Sequence, residues 1–205
     1  MPNSEEQEHW SAFQSGNKDA LASLYNTYVR TLFNYGYKFT RDETLIEDCI
    51  QDMFVRIWDT RAKLSVPVSV KHYLLKAFRS ILFRKMEQQS RRQYDTLDET
   101  YSFEAELSWE SKFITDETQF LAYKKLQQAL AQLPPRQKEA LFLRYYEDAS
   151  YEDIAKIMQT SVNATYKAVC KALGKLKEFY IPALLCMLYS YKHLSTFLHL
   201  LSVSR

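Results

Sequence analysis

The sequence predicts an all-α protein of two small helical domains joined by an acidic linker. Only three of its 205 residues are glycine and five are proline, which favours long helices and few tight turns. No segment alternates apolar and polar residues beside a glycine-containing hairpin turn, so β-structure is not indicated. Apolar residues recur instead at three- and four-residue steps, and a hydrophobic share of 46% permits real cores.

The net charge of +2 is distributed unevenly along the chain. Residues 1–86 carry +2, residues 87–117 carry −6 and residues 118–205 carry +6. A basic second half behind an acidic connector favours a polyanionic partner, although a linker that is merely solubilising would also be acidic. The resulting segments are the first domain, the linker, the second domain and an apolar extension: 10–90, 91–117, 118–180 and 181–205.

Cysteine, histidine and glycine usage argues against catalysis and metal binding. Cys49, Cys170 and Cys186 are widely spaced and form neither a CxxC pair nor a zinc pattern, which indicates a reduced, cytoplasmic protein. The acidic first ten residues argue against a signal peptide. The four histidines are isolated, and no HExxH, GxSxG or Walker motif occurs. We therefore expect a protein that is not an enzyme and needs no cofactor or metal.

The first domain is predicted to begin with a loosely docked lead-in over residues 1–16. A helix then starts at Asn17 and continues to about Phe39. The next helix, from Thr44 to Thr60, has apolar pairs four residues apart with acids between them. This pattern gives one wide buried face and an acidic outer face.

Asp48, Gln51 and Asp52 form an i, i+3, i+4 cluster on that outer face. No lysine or arginine follows within one turn until Arg56. A solvated surface is the ordinary explanation of such a charge run. An unpaired acidic patch is also a docking site for a basic partner.

After a predicted loop at 61–70, a helix from Lys71 to about Glu87 interleaves cations with aromatic residues. Such a combination suits single-stranded nucleic acid, because cations follow the backbone while rings stack on bases. Aromatics facing inward and cations facing outward would give the same pattern. The polar stretch 88–117 contains the linker, and its aromatics favour docking over complete disorder. Those aromatics are Tyr94, Tyr101, Phe103 and Trp109.

The second domain begins near Thr118 with a helix that stops at Pro134-Pro135, and a further helix follows from Arg136 to Tyr146. Residues 150–177 then predict two helices with a polar break at 159–161. Ser150 caps the first, and Thr160 or Ser161 caps the second. The second helix is amphipathic with a basic outer face, which is typical of a helix-turn-helix. The residues predicted for its apolar side are Val162, Thr165, Val169, Ala172, Leu173 and Leu176. An ordinary αα-hairpin with solvated lysines is the alternative.

The C-terminal extension contains a 13-residue apolar run, FYIPALLCMLYSY, followed by Lys192-His193. A membrane span needs roughly 18–20 uninterrupted apolar residues. We expect instead a helix from Pro182 that packs on a domain or on a partner, so that membrane contact is indirect at most.

The order of these parts resembles a bacterial RNA polymerase sigma factor of the extracytoplasmic-function (ECF) group of the sigma-70 family. EDCIQDMFVRIW (47–58) and KHYLLKAFRSILFRK (71–85) are similar to sigma region 2, and residues 133–177 are similar to region 4. The resemblance implies a transcription initiation factor that binds core RNA polymerase, through the clamp coiled coil and the flap, and opens promoter DNA. It also implies an anti-sigma partner.

The resemblance assigns roles to individual positions. Polymerase binding falls on Asp48, Gln51 and Asp52. Recognition and melting of the minus-ten element fall on Lys71, Tyr73, Lys76, Arg79 and Ser80, with a flipped base in the loop at 61–70. Recognition of the minus-thirty-five element falls on Arg136, Thr160, Ser161, Asn163, Tyr166, Lys167, Cys170 and Lys171.

The chain departs from that family pattern at several positions. Gln159 occupies a turn that often holds glycine, which costs about 1 kcal/mol if φ there is positive. Ser80 replaces a common asparagine. Ala168 and Val169 stand where many members have polar or basic groups, so fewer contacts with the DNA groove are expected there. Two other functions fit parts of the chain: a stand-alone helix-turn-helix regulator, and a helical membrane-associated protein anchored by its tail.

Overall fold

The computed structural model describes residues 4–93, 101–104 and 117–177, and every regular element among them is a helix. The predicted all-α class is therefore confirmed. In chain order the helices, with one short 3₁₀ turn, are α1 Ser4–Gln14, α2 Lys18–Gly36, α3 Glu43–Thr60, the turn Arg61–Lys63, α4 Val70–Gln93, α5 Glu117–Ala131, α6 Pro135–Tyr145, α7 Tyr151–Ile157 and α8 162–177.

The prediction for residues 1–16 was wrong, because α1 is a docked helix and not a loose lead-in. Trp10 and Phe13 are completely buried, with ring centroids 5.1 Å apart. The edge of Tyr73, on α4, packs against Trp10 at 5.3 Å. Trp10 and Phe13 lie three residues apart, the spacing of an apolar helix face, within an otherwise polar stretch. The free energy gained by burying two large aromatic side chains is enough to dock α1, although the rest of its sequence is polar.

Helices α2, α3 and α4 form the first helical unit. Asn17 begins α2 by accepting hydrogen bonds from the amides of Asp19 and Ala20, and Asp42 begins α3 by accepting one from the amide of Leu45. The predicted wide apolar face of α3 is confirmed. It buries Leu45, Ile46, Cys49, Ile50, Met53, Phe54 and Ile57.

Helix α4 is longer than the sequence pattern predicted, continuing to Gln93 and not ending near Glu87. The segment 88–93 is polar but contains serine, glutamine and arginine with no glycine or proline. Glutamine and arginine are good helix formers, so nothing in the segment stops the helix. Polarity was mistaken for the start of the linker.

The second helical unit consists of the helices after the linker, α5 to α8. Its helix α6 begins with Pro134 at the N-cap position and Pro135 as its first residue, where the missing amide is not needed. Ser150 caps α7 by accepting a hydrogen bond from the amide of Asp153, which confirms the predicted cap. Ser161 caps α8 by accepting one from the amide of Ala164 at 3.1 Å. The positive φ considered for Gln159 is present, at 52°.

The two helical units share one hydrophobic core in this structure. Phe142 of α6 stacks on Tyr35 of α2, with ring centroids 5.9 Å apart and planes within 9°. Phe103, from the linker, lies against both Phe142 and Phe39. Helix α7 packs along α4. The expected docking of linker aromatics is confirmed for Tyr101 and Phe103, whereas Tyr94, Trp109 and the apolar extension lie outside the described residues.

Among 4–93, 101–104 and 117–177, no helix combines the length and apolarity that crossing a bilayer requires.

Candidate functional site

The three residues of the predicted docking patch all lie exposed on the outer face of α3. Asp48 forms no ion pair within the described part of the chain. Asp52, however, is paired with Lys85 of α4, whose Nζ lies 2.6 Å from its carboxylate. The patch is thus less completely unpaired than the sequence of α3 suggested, because the counterion comes from a different helix. Asp48 and Gln51 remain its open part.

A groove of about 410 Å³ between α2 and α3 adjoins the patch at Gln51. Tyr25, Val29, Phe33 and Ile50 form its apolar part, and Arg30 and Glu47 are the charged side chains that line it. Sequence reasoning missed this groove because its two walls come from different helices. An acidic rim beside an aromatic groove can hold a basic, partly apolar helix by charge and by burial.

The five predicted minus-ten residues fall into two sets. Lys76 and Ser80 are exposed one turn apart on α4. Tyr73 is half-buried against α1, and burial raises the pKa of its hydroxyl. Lys71 and Arg79 both contact the second helical unit, so in this conformation they do not form one surface with Lys76 and Ser80.

Arg79 is buried and pairs with Glu139 of α6, which is completely buried. Arg79 donates from Nε to Oε1 at 2.6 Å and from Nη2 to Oε2 at 3.2 Å. The hydroxyl of Tyr35 donates to Oε1 at 2.6 Å, and that of Tyr101 donates to Oε2. Each carboxylate oxygen therefore accepts two hydrogen bonds, which is what a buried charge requires.

The pKa values around Glu139 follow from this burial. Burial acts to lower the pKa of Arg79, but the hydrogen bonds and charge of Glu139 outweigh it and raise that pKa. Burial and then the Glu139 charge raise the pKa of both Tyr35 and Tyr101 well above the ordinary value. The arginine thus remains charged and the tyrosines remain donors at neutral pH.

Lys71 and its neighbour His72 form a second contact, with the α6–α7 turn. The Nζ of Lys71 lies 3.3 Å from a carboxylate oxygen of Glu147. The Nε2 of His72 lies 3.1 Å from the backbone carbonyl of Glu147, and its Nδ1 lies 3.3 Å from the carboxylate of Asp153. Burial raises the pKa of Glu147, and the charge of Lys71 opposes that shift.

The outer face of α8 is exposed as the sequence predicted. Its exposed members are Asn163, Tyr166, Lys167, Cys170 and Lys171. Thr160 and Ser161 are exposed before its first turn, and Arg136 is exposed on the first turn of α6. The side chains on α8 recur at three- and four-residue steps, so they present one continuous surface of about two turns.

Two aromatic side chains hold the middle of that surface. The edge of Tyr151, at the start of α7, packs against Tyr166 at 5.5 Å, and the guanidinium of Arg144 lies 5.1 Å from the Tyr151 ring. A hydrogen bond with Cys170 raises the pKa of the Tyr166 hydroxyl. These contacts fix the ring of Tyr166 on α8 while leaving it half exposed.

The apolar face of α8 differs in detail from the prediction. Thr165, Val169 and Ala172 are buried as expected, but Val162 and Leu173 are exposed. Val169 is completely buried, so the expectation that it reduces the number of DNA contacts made by α8 was wrong. It lies on the opposite face of the helix, among core residues.

Glu139 and Tyr35 were missed by sequence reasoning, although a signal was present. Glu139 directly precedes Ala140 and lies four residues before Leu143, so it is a charged residue on the apolar face of α6. A charge at such a position needs a buried partner. Within the described segments no group of histidines, cysteines and carboxylates is arranged to hold a metal ion.

Comparison with known proteins adds to this geometry. A family model described as Sigma-70 region 2 matches residues 24–92, and one described as Sigma-70, region 4 matches residues 123–176. The first match covers α3, most of α2 and nearly all of α4. The second covers α6, α7 and almost all of α8. The acidic patch and the helix-turn-helix thus fall in separate family units.

Relatives and solved structures point in the same direction as the two family models. The RNA polymerase sigma factor YlaC of Bacillus subtilis (strain 168) is 22% identical over 167 residues, covering 79% of this chain and 92% of the relative. The ECF RNA polymerase sigma factor SigX of the same organism is 26% identical over 175 residues, covering 78% and 85%. A co-crystal structure of the sigma factor RpoE with the anti-sigma factor NepR from Bartonella quintana is similar at a TM-score of 0.53 and 18% identity. That match covers 76% of this chain and 93% of that chain. At such identity, the structural likeness establishes the fold.

Proposed function

The chain belongs to the sigma-70 family of RNA polymerase sigma factors, and we propose that α3 docks it on core polymerase while α4 and α8 contact the promoter. It is a transcription initiation factor, and its relatives place it with the ECF group. Core RNA polymerase, promoter DNA and an anti-sigma factor are its partners. The domain limits that go with these roles are 10–90, 91–117, 118–180 and 181–205, except that α4 carries the first unit on to Gln93.

The observation that carries this proposal is the exposed pair Asp48 and Gln51 beside the groove between α2 and α3. An acidic side chain without an ion pair, next to aromatic side chains, suits a basic helical partner such as the clamp coiled coil. Asp52 belongs to the same surface, and polymerase binding exchanges its Lys85 partner for a polymerase cation.

For the minus-thirty-five element, the proposal uses the continuous exposed face of α8. Lys167 and Lys171 contact phosphates, while Asn163 and Tyr166 reach base edges in the major groove. Cys170 lies in the same row. Arg136, Thr160 and Ser161 contact the backbone at the edge of the groove. With only two lysines of α8 on phosphates, α8 alone binds weakly, so both units are needed together for promoter selection.

For the minus-ten element, Lys76 and Ser80 are the accessible part of the proposed surface. The loop at 61–70 lies at the N-terminal end of the same helix. Lys71, Tyr73 and Arg79 complete the set once they are released from their present contacts. Cations and an aromatic ring in this order suit a melted strand. The protein acts where polymerase acts, in the cytoplasm, and performs no catalysis of its own.

The decisive experiment is run-off transcription with core polymerase and a promoter library, together with a binding assay. Asp48→Lys should weaken core-polymerase affinity at least tenfold, because it sets a positive charge against a basic partner. Asp59→Lys is the matched control. It changes the same charge on the same helix, about 16 Å further along its axis at 1.5 Å per residue.

Each outcome bears on the proposal. Loss of binding with Asp48→Lys but not with Asp59→Lys supports the docking surface. Equal affinity of both variants contradicts it. Sequence-specific duplex binding by the chain without polymerase, and no promoter-specific transcript with it, would instead identify a stand-alone regulator.

A further inference from the structure

The interface between the two helical units is centred on one carboxylate. Glu139 lies on α6, yet all four of its hydrogen bonds come from elsewhere: from Tyr35 on α2, from Arg79 on α4 and from Tyr101 in the linker. Its partners lie 104, 60 and 38 residues away along the chain. One side chain of α6 thus connects α2, α4 and the linker segment.

Because of this arrangement, the hydrogen bonds around Glu139 are expected to form together and to break together. Removing one partner of a buried ion pair leaves an uncompensated charge and is strongly destabilising. When the units separate as a whole, water replaces the lost hydrogen bonds of both partners. The network therefore favours either a fully closed or a fully open interface, with few intermediate arrangements.

The linker segment 101–104 reinforces the closed arrangement. Phe103 is buried between Phe39 and Phe142, and the amide of Glu104 donates to the carbonyl of Lys38 at 2.8 Å. Arg41 and Glu104 form an ion pair at the surface. The segment contacts both units, so parting of the units removes its contacts with Glu139 and Phe142 of α6 and weakens its docking.

Closure hides part of the proposed minus-ten surface. Arg79 is the cation of the network itself, and Lys71 is held by Glu147 at the α6–α7 turn. Lys76 and Ser80 remain exposed, so the surface is divided and not wholly covered.

Closure also prevents the two DNA-binding surfaces from reaching both promoter elements. Elements at minus ten and minus thirty-five lie about 85 Å apart along a duplex that rises 3.4 Å per base pair. A compact chain of this length has a radius of gyration of about 17 Å, and hence a diameter of about 40 Å. Residues 94–116 connect α4 to α5 and can span at most about 80 Å when fully extended. Only an open arrangement of the two units could use that reach.

We propose that Glu139, with Arg79, Tyr35 and Tyr101, is an intramolecular latch that keeps the free protein closed, and that promoter recognition requires the latch to open. The functional half of this inference rests on the proposed function. The latch itself does not, because it concerns the free chain.

The Glu104 amide reports on closure through the linker segment. Its hydrogen bond to Lys38 exists only while that segment is docked, and the contacts of Tyr101 and Phe103 with α6 help to hold the segment there. Hydrogen exchange of this amide in the free, full-length protein should accelerate at least tenfold in Glu139→Gln, equivalent to about 1.4 kcal/mol. Tyr101→Phe should accelerate it as well. Glu152→Gln, which changes an exposed glutamate on α7, is the control and should leave exchange unchanged.

Amides of α3 and α7 distinguish opening from unfolding. If they keep their protection while the Glu104 amide loses it, the latch is supported. Tyr101 lies outside both family-model matches, so Tyr101→Phe remains informative even if Glu139→Gln unfolds α6 and α7. The proposal is overturned if Tyr101→Phe leaves exchange at Glu104 unchanged and Glu139→Gln gives no selective acceleration there. Glu139→Gln gives none if exchange is unchanged or if the protein unfolds generally.

Transcription assays then test the functional half separately. The two latch variants should reach half-maximal run-off at a several-fold lower concentration than the wild type. Faster exchange without any change in run-off would overturn the regulatory role while leaving the latch intact. If the wild type itself directs no promoter-specific transcript, the proposed function fails and the exchange result still stands.

Discussion

Gly36 should be intolerant of even one additional methyl group. It is the last residue of α2, at the point where α2 meets α3 and α4. A Cβ atom there would lie 2.8 Å from Cζ of Phe78 and 2.9 Å from Cγ2 of Ile46, distances that real Cβ atoms essentially never show. Both neighbours are completely buried, so neither can move into solvent.

The magnitude follows from two opposing effects of Gly36→Ala. Overpacking of a filled core costs about 1–3 kcal/mol. The gain in helix propensity recovers about 0.5–1 kcal/mol. At the midpoints of these ranges, about 2 and about 0.75 kcal/mol, the net loss in the free energy of unfolding is about 1.3 kcal/mol. For a chain of this size that loss lowers Tm by roughly 3–5 °C.

Gly174→Ala is the matched control, because a Cβ at Gly174 in α8 would have no heavy atom within 4 Å. Only the propensity gain applies there, so Tm should rise by roughly 1–4 °C. Far-UV circular dichroism melts and urea titrations of both variants measure the difference. A Gly36→Ala protein as stable as the wild type would refute the reasoning that three helices close tightly on this position.

Two further predictions concern α8 and its surroundings. Gln159→Gly should raise the free energy of unfolding by up to about 1 kcal/mol in urea titration, because Gln159 has φ at 52° and glycine adopts that region without strain; an unchanged or lower value would contradict this. In a Cys186→Ser background at pH 8, iodoacetamide should label exposed Cys170 rapidly and buried Cys49 only on unfolding, as measured by mass spectrometry. Burial raises the pKa of the Cys49 thiol from its ordinary 9.0 to about 11, so the thiol stays neutral in the fold at pH 8. Its contribution to stability is fully present below about pH 9 and falls progressively as pH rises from there through about 11. Equal labelling of the two cysteines would contradict the burial, and unaltered labelling of Cys170 in a polymerase–promoter complex would contradict DNA contact by α8.

Patterns among neighbouring residues were sufficient to predict most of the helices. The four-residue repeat of α3, the proline stop before α6 and the cap at Ser150 depend on side chains within about one turn of each other, so the sequence contains all the information needed. The same holds for the exposed row on α8, because its three- and four-residue spacing is enough to put Tyr166, Lys167 and Cys170 on one face.

Local patterns failed where a distant partner decided the outcome. Helix α1 docks because Trp10 meets Tyr73, more than sixty positions later. Asp52 is paired because α4 brings Lys85 beside it. In both cases the determining contact is tertiary, and no periodicity within one helix reports it.

The sequence by itself thus determined the helical class, the two family units and the chemical character of each outer face. Only the tertiary structure decided which charged residues are available to bind a partner and which are paired within the chain, as Arg79 and Lys71 illustrate. The period of α4 is compatible with either a DNA-facing cation or a buried one. The choice depends on Glu139 and Glu147, and the packing of α6 and α7 against α4 brings their carboxylates within hydrogen-bonding reach.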